Sequence, residues 1–261
     1  MNYNKKSKII IFGSSGFIGS NIKKYLLHKN FSNIISPNSS ECNLLKYNNL
    51  KKYFDKLYNH PEIIIYCSGL SRSKISSKKI MKKNNNMLQN LLKIIDNKKL
   101  KFFVFLSSID VYNLNKNKSF TENDKNFSKL LYGKSKIFSE NLLKKNITNR
   151  KLLILRTPGV FGKSSVSVIN FFIKNIYSQN KIIIENNGNN LRDFLFVKDY
   201  CKIIFLFIIK KYSGTYNIST GNSLKIIDIL NLISKKYNKK YEAVYKTNSK
   251  RDFDIYINNS K

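Results

Sequence analysis

The chain has 261 residues, 42% of them hydrophobic, enough to bury a sizeable core as one α/β unit with a small second lobe. Its 48 Lys and Arg against 15 Asp and Glu give a net charge of +33. The lysines are spread through every segment beside Asn, Ile, Tyr and Phe, as under a low-GC codon bias, which leaves nucleic acid an incidental, salt-sensitive partner. Cys42, Cys67 and Cys201 show no C-x-x-C spacing, His28 and His60 stand apart, and no apolar run nears the roughly 20 residues that span a bilayer, so neither disulfide framework, metal site nor membrane segment is readable.

Lys5, Lys6 and Lys8 ahead of Ile9 to Phe12 do not make a signal peptide, because the apolar part is brief and runs straight into glycine. The expected location is the cytoplasm. Ile9-Ile10-Ile11-Phe12 reads as a buried strand that breaks into Gly13-Ser14-Ser15-Gly16-Phe17-Ile18-Gly19. Gly13 closes the strand in a tight turn, Gly16 keeps a side chain out of the way of a pyrophosphate, and Gly19 lets the next helix lie close on the sheet. That helix, with Ile22, Tyr25 and Leu26 at helical period, turns its free N–H groups and positive dipole end toward the anion. Strand, turn and helix together predict dinucleotide binding by Gly13, Ser15, Gly16, Phe17, Ile18 and Gly19.

Asn33 to Ser36 reads as a short second strand, Leu44 to Tyr58 as a helix, and Glu62 to Tyr66 as a third strand leading to Cys67-Ser68-Gly69. A helix over Lys78 to Asn97 and a strand over Phe102 to Leu106 continue the alternation. Repeated strand and helix imply a parallel, doubly wound sheet whose ligand sits beyond the carboxyl ends of the strands. Then follow a helix from about Ser128 to Lys145, a strand Leu152 to Leu155, a helix near Val168 to Ser178 and a strand Ile182 to Glu185. Last come Phe194 to Val197, a helix through Ile209, a strand Tyr216 to Ser219, and a helix Leu224 to Tyr237 capped by Ser223. Irregular stretches near 159–167, 186–192 and 246–261 are rich in Asn, Ser, Gly and Lys. The expected organisation is a dinucleotide-binding domain over 1–163, to which 191–220 return, with a small substrate lobe of 164–190 and 221–261.

Tyr132 and Lys136 lie four apart at the start of a helix, on one face and in mutual reach. A phenol of pKa about 10 is a poor base near neutrality, but an adjacent ammonium favours phenolate and lowers that value. Phe103 to Leu106 meanwhile delivers Ser107 and Ser108 to the carboxyl end of a strand, where hydroxyls face the ligand crevice.

The glycine turn with G-x-x-G-x-x-G spacing, Ser-Ser-x-x-Val-Tyr over 107–112 and Tyr-x-x-x-Lys over 132–136 together resemble the extended short-chain dehydrogenase/reductase superfamily. Within it the chain is similar to the NAD-dependent sugar-nucleotide epimerase/dehydratase family along nearly its whole length. Arg156 to Gly162 resembles that family's L-R-x-x-x-V-x-G segment, Arg192 to Asp199 its R-D-[FY]-x-x-V-x-D segment, and Tyr216-Asn217-Ile218 its Y-N-[IV] strand. The resemblance implies a Rossmann-type fold with a small C-terminal substrate lobe. It implies that Ser108 hydrogen-bonds the reacting sugar group, with Ser107 as the alternative, that Tyr132 moves the proton, and that Lys136 binds the nicotinamide ribose. Asn84 falls where the family has an Asn that helps hold the Lys, Asn43-Leu44 where it binds adenine, and Arg192 and Arg251 where arginines grip a nucleotide-sugar diphosphate. The helix 128–145 carries Leu130, Leu131, Phe138, Leu142 and Leu143 beyond one stripe, and the family pairs this helix across a homodimer.

Where an acid would hold the NAD ribose the chain has Ser36-Pro37-Asn38-Ser39, then Glu41, and no Arg for an NADP phosphate, so the cofactor is NAD or NADP. Ile109-Asp110 supplies one carboxylate after Ser108 instead of the acid pair of the dehydratase branch, which disfavours sugar dehydration. The sequence ends at Asn259-Ser260-Lys261, about where the family continues, so the expected sugar lobe is small. The leading expectation is an NAD(P)-dependent nucleotide-sugar epimerase, UDP-glucose 4-epimerase-like. The alternatives are a reductase of a 4-keto nucleotide sugar and, in a different class, a non-catalytic dinucleotide- or RNA-binding relative.

Overall fold

The computed structural model describes residues 5–71, 74–75, 77–112, 119–179 and 181–246, with the backbone of 256–257. The chain divides into two compact units, one of Met1–Asn113, Lys125–Arg156 and Lys198–Tyr216, the other of Leu114–Asp124, Thr157–Val197 and Asn217–Lys261. The sequence-based boundaries at 163 and 191 fall inside the second unit. Among the described residues no helix is long and apolar enough to cross a membrane.

The first unit opens with β1 (Ile9–Phe12), α1 (Phe17–His28), β2 (Ile34–Ile35), α2 (Tyr47–Asp55), β3 (Ile63–Tyr66), α3 (Lys78–Leu92) and β4 (Phe102–Ser108). After β5 (Ser119–Phe120) of the second unit it resumes with α4 (Leu131–Asn146) and β6 (Leu152–Thr157). The second unit then contributes β7 (Gly159–Phe161), α5 (Val168–Tyr177), β8 (Ile182–Glu185), β9 (Leu191–Arg192) and β10 (Phe194–Phe196). The first closes with α6 (Val197–Lys210) and β11 (Gly214–Asn217), leaving β12 (Leu224–Lys225), α7 (Ile226–Tyr237), β13 (Ala243–Lys246) and β14 (Tyr256–Ile257) to the second.

Six strands form one sheet in the order β11-β6-β4-β3-β1-β2, with β1 parallel to both β2 and β3, and β3 parallel to β4. This is the doubly wound parallel sheet that the alternation predicts. Its strands read as continuous apolar runs because both faces are covered. Ile10, Phe12, Ile64, Tyr66, Phe103, Phe105 and Ile154 meet Leu50 and Phe54 of α2, Leu88 and Leu91 of α3, and Leu143 of α4. Side chains of the other parity, Ile9, Ile11, Ile63, Ile65, Phe102 and Val104, are buried as completely. Phe205 of α6 meets the edges of Tyr25 and Phe31 at 5.8 and 6.3 Å. The direction of strand progression reverses between β1 and β3, which opens a crevice at the carboxyl ends of those two strands.

The second unit is built from short pairs: β7 with β10 and β8 with β13 in parallel, and β9 with β12 antiparallel. Phe172 and Ile176 of α5, Ile182 and Ile184 of β8, and Ile229, Leu230 and Ile233 of α7 make its core. The sequence predicts a last helix from Leu224 under a Ser223 cap, and here the structure differs. Leu224 and Lys225 pair with Arg192 and Leu191, so the helix begins at Ile226 with Lys225 in the N-cap position and no side-chain cap. Stretches that read as irregular hold β7 and β9 for the same reason, since strand pairing is decided by partners distant in sequence.

Candidate active site

The turn after β1 is built as its glycines require. Gly13 has φ +82°, and a Cβ there would stand 2.8 Å from the Cys67 carbonyl carbon and the Ser68 nitrogen, so the exits of β1 and β3 touch only through a glycine. A Cβ on Gly19 would collide with the Gly13 carbonyl, which is why α1 can start directly beneath the strand. Gly16 is exposed and occupies the N-cap of α1 without a side-chain cap, so no side chain of the cap residue satisfies the amides of the first helical turn. Ser15 is exposed beside it, Phe17 and Ile18 are half-buried, and Ser14 Oγ ties the turn to β2 by donating to the Ser36 carbonyl at 3.2 Å. This cradle fits a dinucleotide pyrophosphate.

At the carboxyl end of β4 the two serines take different partners, as neighbours on a strand must. Ser107 Oγ donates to Glu140 Oε1 at 2.6 Å, whereas Ser108 Oγ accepts from the Asp110 amide at 3.2 Å and donates to Asp110 Oδ2 at 3.3 Å. Ser108 thereby caps the short 3-10 turn Ile109–Val111. Helix α4 reaches this turn through Gly133, where any Cβ would run into the Asp110 carbonyl oxygen and Ser128 Oγ. Tyr132 is the residue before Gly133 on the same helix.

Lys136 lies one helical turn beyond Tyr132. Its Nζ donates to the Leu106 carbonyl at 2.6 Å and stands 5.6 Å from the centre of the Tyr132 ring and 4.8 Å from that of Phe105. Burial lowers its pKa to about 8, while the carboxylates of Glu140 and Asp110 work to keep it protonated. The ammonium is therefore a held positive charge alongside a phenol.

Sequence reasoning missed the polar layer beneath. Glu140 is fully buried, accepting from Arg156 Nε at 3.1 Å, Arg156 Nη2 at 2.7 Å and Asn126 Nδ2 at 3.2 Å besides Ser107, and Arg156 Nη1 donates to Tyr112 Oη at 2.8 Å. A Glu mid-helix reads as a solvent-facing residue. The available signal was the small, polar stripe Gly133, Ser135 and Ser139 on the same buried face.

Other predicted site residues are placed as follows. Asn84 is buried with its amide on the backbone of Leu70, accepting from the N–H at 2.7 Å and donating to the carbonyl at 3.1 Å, so it braces the loop after β3. Asn43 Oδ1 accepts from the Leu45 amide at 2.9 Å, and Leu44 is a core residue whose carbonyl accepts from Asn90 Nδ2 at 2.9 Å. Arg192 lies on β9 of the second unit, its Nη1 donating to the Leu191 carbonyl at 2.8 Å. Its neighbour Asp193 is buried and accepts from Thr220 Oγ1 at 2.6 Å and the Thr220 amide at 2.9 Å, holding the loop before β12. Arg251 lies outside the described residues. Among the described residues no cluster of three His, Cys, Asp or Glu side chains suits a metal ion.

Fold and site define an α/β protein with a dinucleotide-type glycine turn and a Tyr–Lys pair at the neighbouring strand end. Residues 9–219 match the NAD dependent epimerase/dehydratase family, and the chain belongs to that family. ADP-L-glycero-D-manno-heptose-6-epimerase of Brachyspira hyodysenteriae is 30% identical over 260 residues, covering 88% of this chain and 81% of the relative. UDP-glucose 4-epimerase of Thermotoga maritima, solved with UDP-glucose, superposes with a TM-score of 0.83 at 20% identity over 97% of this chain and 90% of its own. dTDP-4-dehydrorhamnose reductase of Bacillus anthracis, solved with NADP, does so with a TM-score of 0.80 at 18% identity, covering 96% and 87%. The two structural likenesses establish the shared fold.

Proposed function

We propose that the chain is an NAD(P)-dependent nucleotide-sugar epimerase, UDP-glucose 4-epimerase-like, acting by hydride abstraction from a sugar carbon and return to its opposite face. The observation that carries this reading is the Lys136 ammonium, anchored at 2.6 Å on the Leu106 carbonyl and 5.6 Å from the Tyr132 ring. Bound NAD or NADP would supply the hydride acceptor and donor. Ser108 orients the reacting hydroxyl or carbonyl, Tyr132 Oη takes and returns its proton, and Lys136 holds the nicotinamide ribose while its charge favours the phenolate. Gly13, Ser15, Gly16, Phe17, Ile18 and Gly19 receive the pyrophosphate, Asn43 and Leu44 border the adenine, and Asn84 braces the loop beside Lys136. Arg192 and Arg251 grip the substrate diphosphate. Asp110 is a single carboxylate engaged with Ser108, which weighs against sugar dehydration.

A one-way reductase of a 4-keto nucleotide sugar is the second reading, favoured by the exit of β2. Its one acid, Glu41, accepts from the Asn38 amide at 2.8 Å within its own loop, so one carboxylate oxygen is already engaged there, which counts against a dedicated reader of the NAD ribose and leaves room for NADP even without an Arg. An epimerase keeps its cofactor through purification and interconverts sugars without added reductant, whereas a reductase consumes NADPH stoichiometrically with a keto sugar. Three free cysteines suit the reducing cytoplasm. Phe138 of α4, 37% exposed, supports a homodimer through that helix.

A further inference from the structure

Two residues one turn apart on α4 hold two consecutive residues of β4: Lys136 Nζ donates to the Leu106 carbonyl, and Glu140 Oε1 accepts from Ser107 Oγ, both at 2.6 Å. The register between helix and strand end is thus fixed at two points. Arg156 of β6 adds a third element, its forked nitrogens on both Glu140 oxygens at 3.1 and 2.7 Å. Its remaining Nη1 reaches Tyr112 Oη at 2.8 Å, over whose ring the guanidinium carbon stands at 5.1 Å. Tyr112 ends the turn that Ser108 begins.

We propose that the Glu140–Arg156 pair is a positioning unit that clamps the β4 exit onto α4 and so sets where Ser108 stands relative to Tyr132 and Lys136. The proposal rests on the reading of those three side chains as the reacting groups. A buried ion pair is often no more stabilising than well-packed apolar residues of similar volume, so packing alone does not call for one here. What the planar fork adds is direction, since only one arrangement satisfies three guanidinium nitrogens and both carboxylate oxygens. Gly133 leaves no slack, because α4 already touches the Asp110 carbonyl. The charged and titratable groups facing Lys136 are Cys67 after β3, Asp110 after β4, and Glu140 and Tyr132 on its own helix, so Glu140 also helps to keep the ammonium charged against burial.

The test uses the full chain as Glu140→Gln and as the double variant Glu140→Leu/Arg156→Met, which removes the network without leaving an orphaned charge and carries the test if the single variant does not fold. The pH midpoint of Lys136 is read by competitive acetylation and peptide mass spectrometry, and NADH and NADPH affinity by nicotinamide fluorescence. The expected result is a Lys136 midpoint below that of the wild type and at least ten-fold weaker binding of the reduced dinucleotide. A folded double variant with the wild-type midpoint and affinity overturns the proposal and leaves the pair a packing element. Should the wild-type chain bind neither dinucleotide, the cofactor reading falls, and amide hydrogen exchange over Ser108 to Asp110 decides the positioning role: faster exchange in the folded double variant supports it, and exchange at the wild-type rate overturns it.

Discussion

The Lys136 ammonium hydrogen-bonds the Leu106 carbonyl, so the helix that carries Tyr132 is tied to β4 one residue before Ser107. Burial lowers the Lys136 pKa to about 8 from 10.5, so between those values the folded chain binds fewer protons than the unfolded chain. Stability therefore rises with pH through that window, and below pH 8 the buried charge costs its full amount. Lys136→Met is expected to be more stable than the wild type at pH 7, with the difference shrinking toward pH 10. Urea unfolding at both values checks it, and a constant gap contradicts it.

Gly133→Ala places a methyl group on the Asp110 carbonyl and Ser128 Oγ. The helix must shift, at a cost of roughly 1–3 kcal/mol typical of overpacking. Turnover should fall with it, while Lys134→Ala, on the exposed side of the same turn, leaves both unchanged. Thermal unfolding of the two variants makes the comparison.

Gly16 has φ −79° and ψ 166°, a backbone that any residue adopts, and an added Cβ meets only the Gly13 carbonyl at 3.3 Å. Gly16→Val should therefore fold, at a cost of about 1 kcal/mol at the helix cap. Its branched side chain fills the cradle, so dinucleotide affinity should drop at least ten-fold in a fluorescence titration. Unchanged affinity in a folded variant contradicts the assignment of the turn.

Phe138→Glu removes the apolar side chain that α4 exposes and adds a charge. Sedimentation equilibrium should show a dimer for the wild type and a monomer for the variant. A wild-type chain that stays monomeric at every concentration rules the dimer out.

Features set by local sequence were legible. The apolar run of β1 with its glycines, the strand–helix alternation, and the pairing of Tyr132 with Lys136 across one helical turn all depend on neighbours within a few residues. Glu140 with Arg156, Asp193 with Thr220, and Leu224 with Arg192 join residues far apart in sequence, and tertiary contact overrides their local signals. Leu44 shows the same limit. It reads as the first residue of a helix, yet it is a core side chain in the loop before α2, which starts at Tyr47.

The central claim is that Tyr132 moves the proton in a hydride transfer set up by Lys136 and Ser108. Its most direct test follows nicotinamide absorbance and sugar products when purified chain and cofactor meet a panel of nucleotide hexoses and 4-keto nucleotide sugars, wild type against Tyr132→Phe. That substitution removes one hydroxyl and leaves the ring beside Lys136, so fold and cofactor binding should persist while turnover falls roughly 100- to 10,000-fold. A Tyr132→Phe chain that turns over its substrate at the wild-type rate would contradict the account.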